Sequence, residues 1–256
     1  MRFDLRFFLK DTVRKMVDFS TTPQNRGIAP PPLQRPYPPG APLVALPGPG
    51  GGWPGIAAMP LTRAIAGRRS RRAYTDAALT LEELGYLLWA TQGLRKAPGL
   101  SGFRTVPSAG CRHALETYLA VFRVEGVAAG LYRYLPIEHA LLPEGEVEEL
   151  ALAVSQAVFD QRFVAKAAAT FFWTAVPERM EWRYAEASYK VIALDAGHVC
   201  QNLYLACEAI GAGTCAVAAY DQEACDELLG VDGEAEFTIY LAPVGKVAAD
   251  EKGEAS

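Results

Sequence analysis

Several signatures of familiar function classes are missing from this chain of 256 residues. Its five cysteines form no CxxC and are odd in number, and its three histidines (His113, His139, His198) show no metal-ligand spacing. Neither a disulfide framework nor a zinc site is supported, and reduced thiols in a cytoplasmic protein are expected. No apolar run is long enough to cross a membrane. The N-terminus, MRFDLRFFLKDTVRKMVDF, mixes charge through its hydrophobic residues and lacks a signal-peptide core; it reads as a short amphipathic helix packed on its own protein. A basic excess is absent as well. The net charge of −4 argues against a protein that coats nucleic acid. No GxGxxG follows a strand, and no GxxxxGK precedes a serine or threonine, so neither a dinucleotide fold nor a P-loop can be started.

Proline, by contrast, is concentrated: residues 23–60 hold twelve of the eighteen. Proline removes amide donors and fixes φ, which excludes helix and sheet interior. This stretch is expected to be an extended arm that is ordered by lying on a surface, with Trp53 and Tyr37 as anchors. From residue 61 the pattern becomes globular. LTRAIAG suggests a short helix ending at Gly67, and TLEELGYLLWATQGL a second, with Thr80 and Glu83 as a capping box. TYLAVFRV and GLYRYLP predict a hairpin, EVEELALAVSQAVFDQRFVAKA a helix, and ATFFWTAV and FTIYLAPVG strands covered on both faces. A long helix over about 187–210 carries a buried stripe of Ile192, Ala196, Val199, Leu203, Ala206 and Ile210. DQEACDELLG adds a short last helix. Without regular βαβ alternation, the fold class is α+β. The organisation is 1–60, helix and arm; 61–248, globular domain; 249–256, a disordered tail.

The densest charge lies in AGRRSRRAYTD, where Arg68, Arg69, Arg71 and Arg72 surround Ser70 with no carboxylate before Asp76. On an acidic body, such a cluster points to a small phosphate rather than a polymer. Three further segments follow: RTVPSAG at 104–110, LDAGHVCQNLYLACEAIGAG at 194–213 and APVGK at 242–246. In this order and spacing the set resembles the flavin-dependent nitroreductase family over about residues 61–246, and within it the SagB-type dehydrogenases.

The resemblance implies a nitroreductase-like fold with a mostly antiparallel sheet flanked by helices, in an intertwined homodimer with FMN at the interface. Arg68, Ser70 and Arg72 then match side chains that contact the flavin, Arg69 contributes through its backbone, and Arg71 fills a variable position. Pro107, Ser108 and Ala109 match the stretch that approaches the flavin from the second subunit. Arg104 is a candidate for the pyrimidine end, with a surface ion pair as the alternative. An amide of Ala218 or Ala219, in GTCAVAAYD, is placed to donate to N5, with a small-residue crossing in the core as the alternative. Lys246 is assigned to the phosphate or the N1 side. NADH or NADPH is the implied reductant, and a nitroaromatic or quinone-like molecule the acceptor.

SagB-type enzymes that oxidise thiazolines or oxazolines in peptides use a Lys-Tyr pair upstream of the long helix. Here Arg183-Tyr184 stands in that place, and a permanently protonated arginine is a poor general base. Tyr184 stays a candidate acid or base, with Lys190 a turn or two away; plain helix-end packing is its other reading. A modified-peptide substrate is therefore the second functional expectation, and a non-catalytic flavin- or anion-binding module the third. Neither nucleic acid nor membrane is expected as a partner.

Overall fold

The computed structural model describes residues 5–95 and 102–248, so the tail at 249–256 lies outside the described residues. Strands β1 (Val44–Ala45), β2 (Leu115–Val121), β3 (Gly130–Leu135), β4 (Ala140–Gly145), β5 (Ala169–Ala175), β6 (Ala212–Thr214) and β7 (Phe237–Lys246) form one sheet. Its order is β1-β4-β3-β2-β5-β7-β6, antiparallel throughout. The helices are α1 (Leu61–Gly67), α2 (Leu81–Gln92), α3 (Leu150–Ala157), α4 (Glu178–Tyr184), α5 (Ser188–Ala209) and α6 (Gln222–Leu229).

Strand periodicity divides the core in two. Leu119, Phe171 and Trp173 meet α2 and α5 on one face of the sheet. Tyr118, Ala120 and Phe172 meet α3 and α6 on the other. This double cover is why the strands read as unbroken apolar runs. All six residues of the α5 stripe are buried, as are Cys200 and Cys207 beside them. The Thr80–Glu83 capping box forms as expected.

Four elements depart from the sequence expectation. The N-terminal segment is not an α-helix but two 3-10 turns, Leu5–Leu9 and Asp11–Lys15. Too short to nucleate alone, it also lacks a buried face: none of the residues of the second turn is buried. The helix expected over 146–167 is only α3, because Phe159 and Asp160 take φ of 54° and 57° and turn the chain out. Strand β4 was concealed by Pro143, which is tolerated because β1 pairs only with Ala140 and Leu141 of that strand. β1 itself lies within the proline-rich arm, at the sheet edge.

The arm lies on the sheet through its carbonyls. Arg104 Nη2 donates to Leu33 O at 2.7 Å, Arg133 Nη1 to Arg35 O at 2.9 Å, and Trp182 Nε1 to Ile28 O at 2.8 Å. Trp53 anchors its far end, 5.4 Å from the Tyr86 ring and 5.8 Å from Trp89.

Candidate functional site

After Gly67 the chain becomes extended and runs beside β6. Ser70 forms a parallel bridge with Thr214, and the Arg71 N–H donates to the Thr214 carbonyl at 2.9 Å. Extended backbone alternates its side chains, so Arg68, Ser70 and Arg72 share one face. On that face the Arg68 guanidinium lies 5.3 Å from the Tyr204 ring centre, and that of Arg72 5.8 Å from Phe163. Among the described residues, neither arginine pairs with a carboxylate. Ser70 Oγ is 2.9 Å from Tyr204 OH, which accepts the Ala216 N–H at 2.8 Å. When Tyr204 donates to Ser70 Oγ, the serine hydrogen is left for an external acceptor.

The segment after β6 borders this face. Val217 is buried and pairs with Leu241, whereas Ala218 and Ala219 are exposed. Gln161 Nε2 holds the Ala219 carbonyl at 2.7 Å. Among the described residues, the N–H groups of Ala218 and Ala219 donate to no protein acceptor. The core-crossing alternative for this segment does not describe two exposed alanines.

A second group of predicted residues gathers around the loop 107–111. Asp195 of α5 accepts the Ala109 N–H at 3.2 Å, and Ser108 Oγ accepts the His113 N–H at 2.9 Å. Burial pushes the Asp195 carboxyl up, against the pull of Ser108, the Ala109 N–H and His198. Gly110 has φ +58°, and a Cβ there would lie 2.7 Å from both Tyr184 OH and Arg183 Cδ. Thus Arg183 and Tyr184 do close on this loop, at the one position where the backbone must be bare. Cys111 and His113 also take positive φ, 56° and 49°, a concentration of backbone strain of the kind found at ligand sites. Burial, then Arg104, Arg112 and Arg179, hold His113 down to about 3. Burial also pushes the Cys111 thiol up, so its 3.4 Å contact with His113 Nε2 joins two neutral groups.

Two predicted residues stand elsewhere. Arg104 is not in a surface ion pair: it is 4% exposed and donates to Gln92 Oε1 and Leu33 O, both at 2.7 Å. Burial pulls its guanidinium down to about 10, which leaves it a cation at neutral pH. Lys246 Nζ bonds to Glu83 and, at 2.6 Å, to the Ile210 carbonyl, and so caps α5. The His198 side chain, on α5, is 53% exposed.

Tyr204, Phe163 and Asp195 were not singled out from the sequence. For Asp195 there was a signal, an acidic residue next to Ala196 in the buried stripe; Tyr204 and Phe163 had none, because sequence patterns do not reveal what lies under an arginine. Asp195 and Tyr204 also relate the two groups. They are nine residues apart on α5, about 14 Å along the axis and two and a half turns, hence on opposite faces. The loop 107–111 and the strand 68–72 of one chain therefore attach to opposite sides of α5.

Two guanidinium groups, a hydroxyl and two N–H groups without an acceptor among the described residues fit a phosphate dianion together with the polar edge of a ring, as FMN presents. No comparable set of metal-ligating side chains occurs among the described residues.

Comparison with known proteins shows the family and the fold. MJ1384 of Methanocaldococcus jannaschii, provisionally assigned as a nitroreductase, is 36% identical over 196 residues, 75% of this chain and 94% of its own. A solved structure from Ralstonia eutropha, with the same provisional assignment, is 26% identical and superposes with a TM-score of 0.67 over 86% of this chain and 99% of its own. Two more distant structures, both 17% identical, share the fold. The Escherichia coli microcin synthetase McbBCD complex with truncated pro-MccB17 has a TM-score of 0.61, covering 97% of this chain and 99% of its own. A Desulfovibrio desulfuricans protein in complex with FMN has a TM-score of 0.53, covering 78% and 93%. The Nitroreductase family pattern itself matches residues 65–246, from the last turn of α1 to the end of β7, and the chain belongs to that family.

Proposed function

We propose that the protein is an FMN-dependent oxidoreductase that works as a cytoplasmic homodimer and carries hydride from NADH or NADPH to a small oxidised acceptor, nitroaromatic or quinone-like. The observation that carries this reading is the face of Arg68, Ser70 and Arg72, cationic and without a carboxylate partner among the described residues, beside the Ala218 and Ala219 N–H groups, which have no acceptor there. FMN, when bound, supplies the two-electron chemistry. Arg68, Ser70 and Arg72 hold its phosphate. The N–H of Ala218 or Ala219 donates to the N5 edge and orients it. The loop 107–111 of a second copy covers the other side and excludes water.

The half-turn between Asp195 and Tyr204 favours the dimer, because one chain presents the two groups on opposite sides of α5. Leu61 and Ile65 of α1 and Leu194 of α5 are 64%, 57% and 55% exposed, on the helices that adjoin the site. No helix among the described residues is long and apolar enough to cross a membrane.

A second reading, oxidation of an azoline in a modified peptide, is favoured by Tyr184, whose hydroxyl adjoins Gly110. The fold shared with a complex solved with a truncated pro-peptide points the same way.

The deciding experiment is the visible spectrum of the purified protein before and after anaerobic NADH or NADPH. A flavin spectrum that bleaches is expected. Bound flavin inert to both nicotinamides moves the weight to the peptide substrate. A colourless protein that refuses added FMN ends both readings.

A further inference from the structure

Arg104, Arg112, Arg133 and Arg179 are the buried arginines among the described residues. Arg104, Arg133 and Arg179 donate to protein acceptors. Arg112 is the exception. It is 4% exposed, its Nε and Nη2 are shut off from solvent, and neither reaches an acceptor among the described residues. That leaves Nη1 as the nitrogen a ligand meets first. The Arg112 guanidinium lies 4.6 Å from the centre of the Trp182 ring. A ring face offsets only part of what a guanidinium loses on leaving water.

The surroundings bring no counter-charge. Glu116 is taken by Arg179 and the Arg35 N–H, and Asp195 by the Ala109 N–H. Burial, then Arg183 and Arg179, pull the Arg112 guanidinium down, against Cys111 and Tyr184. Cys111 and His113 are neutral, so neither serves as its anion. Both take positive φ, which leaves the backbone strained on each side of Arg112. Two residues before it, Gly110 meets Arg183 and Tyr184. The unmatched cation therefore belongs to the loop side of the candidate site, next to the candidate acid or base.

We propose that Arg112 determines specificity at this site by taking the carboxylate of an acidic acceptor, a nitroaromatic or quinone-like ring that bears one. A single buried guanidinium suits a planar monoanion, whereas the 68–72 face gathers more donors for a dianion. Trp182 and Tyr184 beside it suit a flat aromatic acid. Reduction of that acid rests on the oxidoreductase reading; recognition of its carboxylate does not.

The test is calorimetric titration of the FMN-saturated protein with para-nitrobenzoate and with para-nitrobenzamide, which has the same shape without the charge. The acid is expected to bind about tenfold more tightly than the amide, and this preference should vanish in Arg112→Met. Arg112→Lys keeps the charge but not the fork, and should retain part of the preference. The urea midpoint of Arg112→Met should not fall, since no protein acceptor is stranded. Equal binding of acid and amide, no binding of either, or a preference unchanged in Arg112→Met would overturn the proposal. So would loss of FMN in Arg112→Met, which would give the cation to the flavin, or loss of self-association in sedimentation, which would give it to a second copy. If the protein takes no flavin, the titration is run without it. A preference for the acid that Arg112→Met abolishes would then keep this site while the oxidoreductase reading falls.

Discussion

Arg104, Arg133 and Arg179, beneath the proline-rich arm, are 4%, 3% and 3% exposed, and each donates to protein acceptors. Arg68 and Arg72, on the strand after α1, lie against aromatic rings and reach no carboxylate among the described residues. The same side chain serves opposite ends. Burying a cation costs several kcal/mol unless it is paired, so the first group had to be matched to acceptors. An arm rich in proline has few N–H donors but keeps every carbonyl, and Arg104 and Arg133 supply donors to it. The second group stays at the surface, where an unpaired guanidinium costs little and remains available to a ligand.

Several experiments would break or sharpen this contrast. The largest effect is expected at Glu116, which accepts from Arg179 and from the Arg35 N–H, the latter at 2.7 Å. Glu116→Ala should cost about 3–5 kcal/mol in urea unfolding by stranding a buried cation, and Glu116→Leu with Arg179→Met should recover much of it. If the single variant is neutral, the buried arginines are not the arm's fastening.

Next is the acid side of the stability profile. His113 is held at about 3 against an ordinary 6.5. Between those values the unfolded chain takes a proton that the folded chain refuses. Stability is therefore complete above the ordinary value and is lost as pH falls toward the folded one. From about pH 7 to about pH 5 the loss should be about 2 kcal/mol, flattened in His113→Gln. Asp195, pushed up by burial, works in the opposite direction over the carboxylate range. An unchanged slope in the variant would show that His113 is not excluded from protonation.

The exposed group should behave in the reverse manner to Glu116. Arg68→Met or Arg72→Met should leave the urea midpoint nearly unchanged while raising the FMN dissociation constant about tenfold, read by fluorescence titration. A stability loss with intact flavin affinity would abolish the distinction between the two groups. The smallest effect is expected for Tyr204→Phe, about 1 kcal/mol of stability or less, since Ser70 and the Ala216 N–H each lose one partner near the surface.

Much of the architecture was legible because it depends on local rules. The capping box at Thr80, the stripe on α5 and the doubly covered runs of β5 and β7 are written in short-range patterns of residue type. β4 was not legible, because Pro143 contradicts a strand unless the neighbouring edge is known to be open. The length of α3 was not legible either, since two non-glycine residues adopt left-handed backbone where tertiary packing demands it. For the candidate site, the presence of a concentrated cationic stretch could be read from charge density alone. What lies under each arginine could not.

The amino-acid sequence by itself determined the family, the α+β class, the proline-rich arm and the concentration of arginines around Ser70, because composition, spacing and periodicity are properties of the chain. Only the tertiary structure decided which arginines are fasteners and which are open. It also separated Arg68 and Arg72 from Arg69 and Arg71 across one strand, and committed Arg104 and Lys246 to partners far away in sequence. Charge is carried by the residue, but whether that charge is already satisfied depends on what folding brings within hydrogen-bond reach.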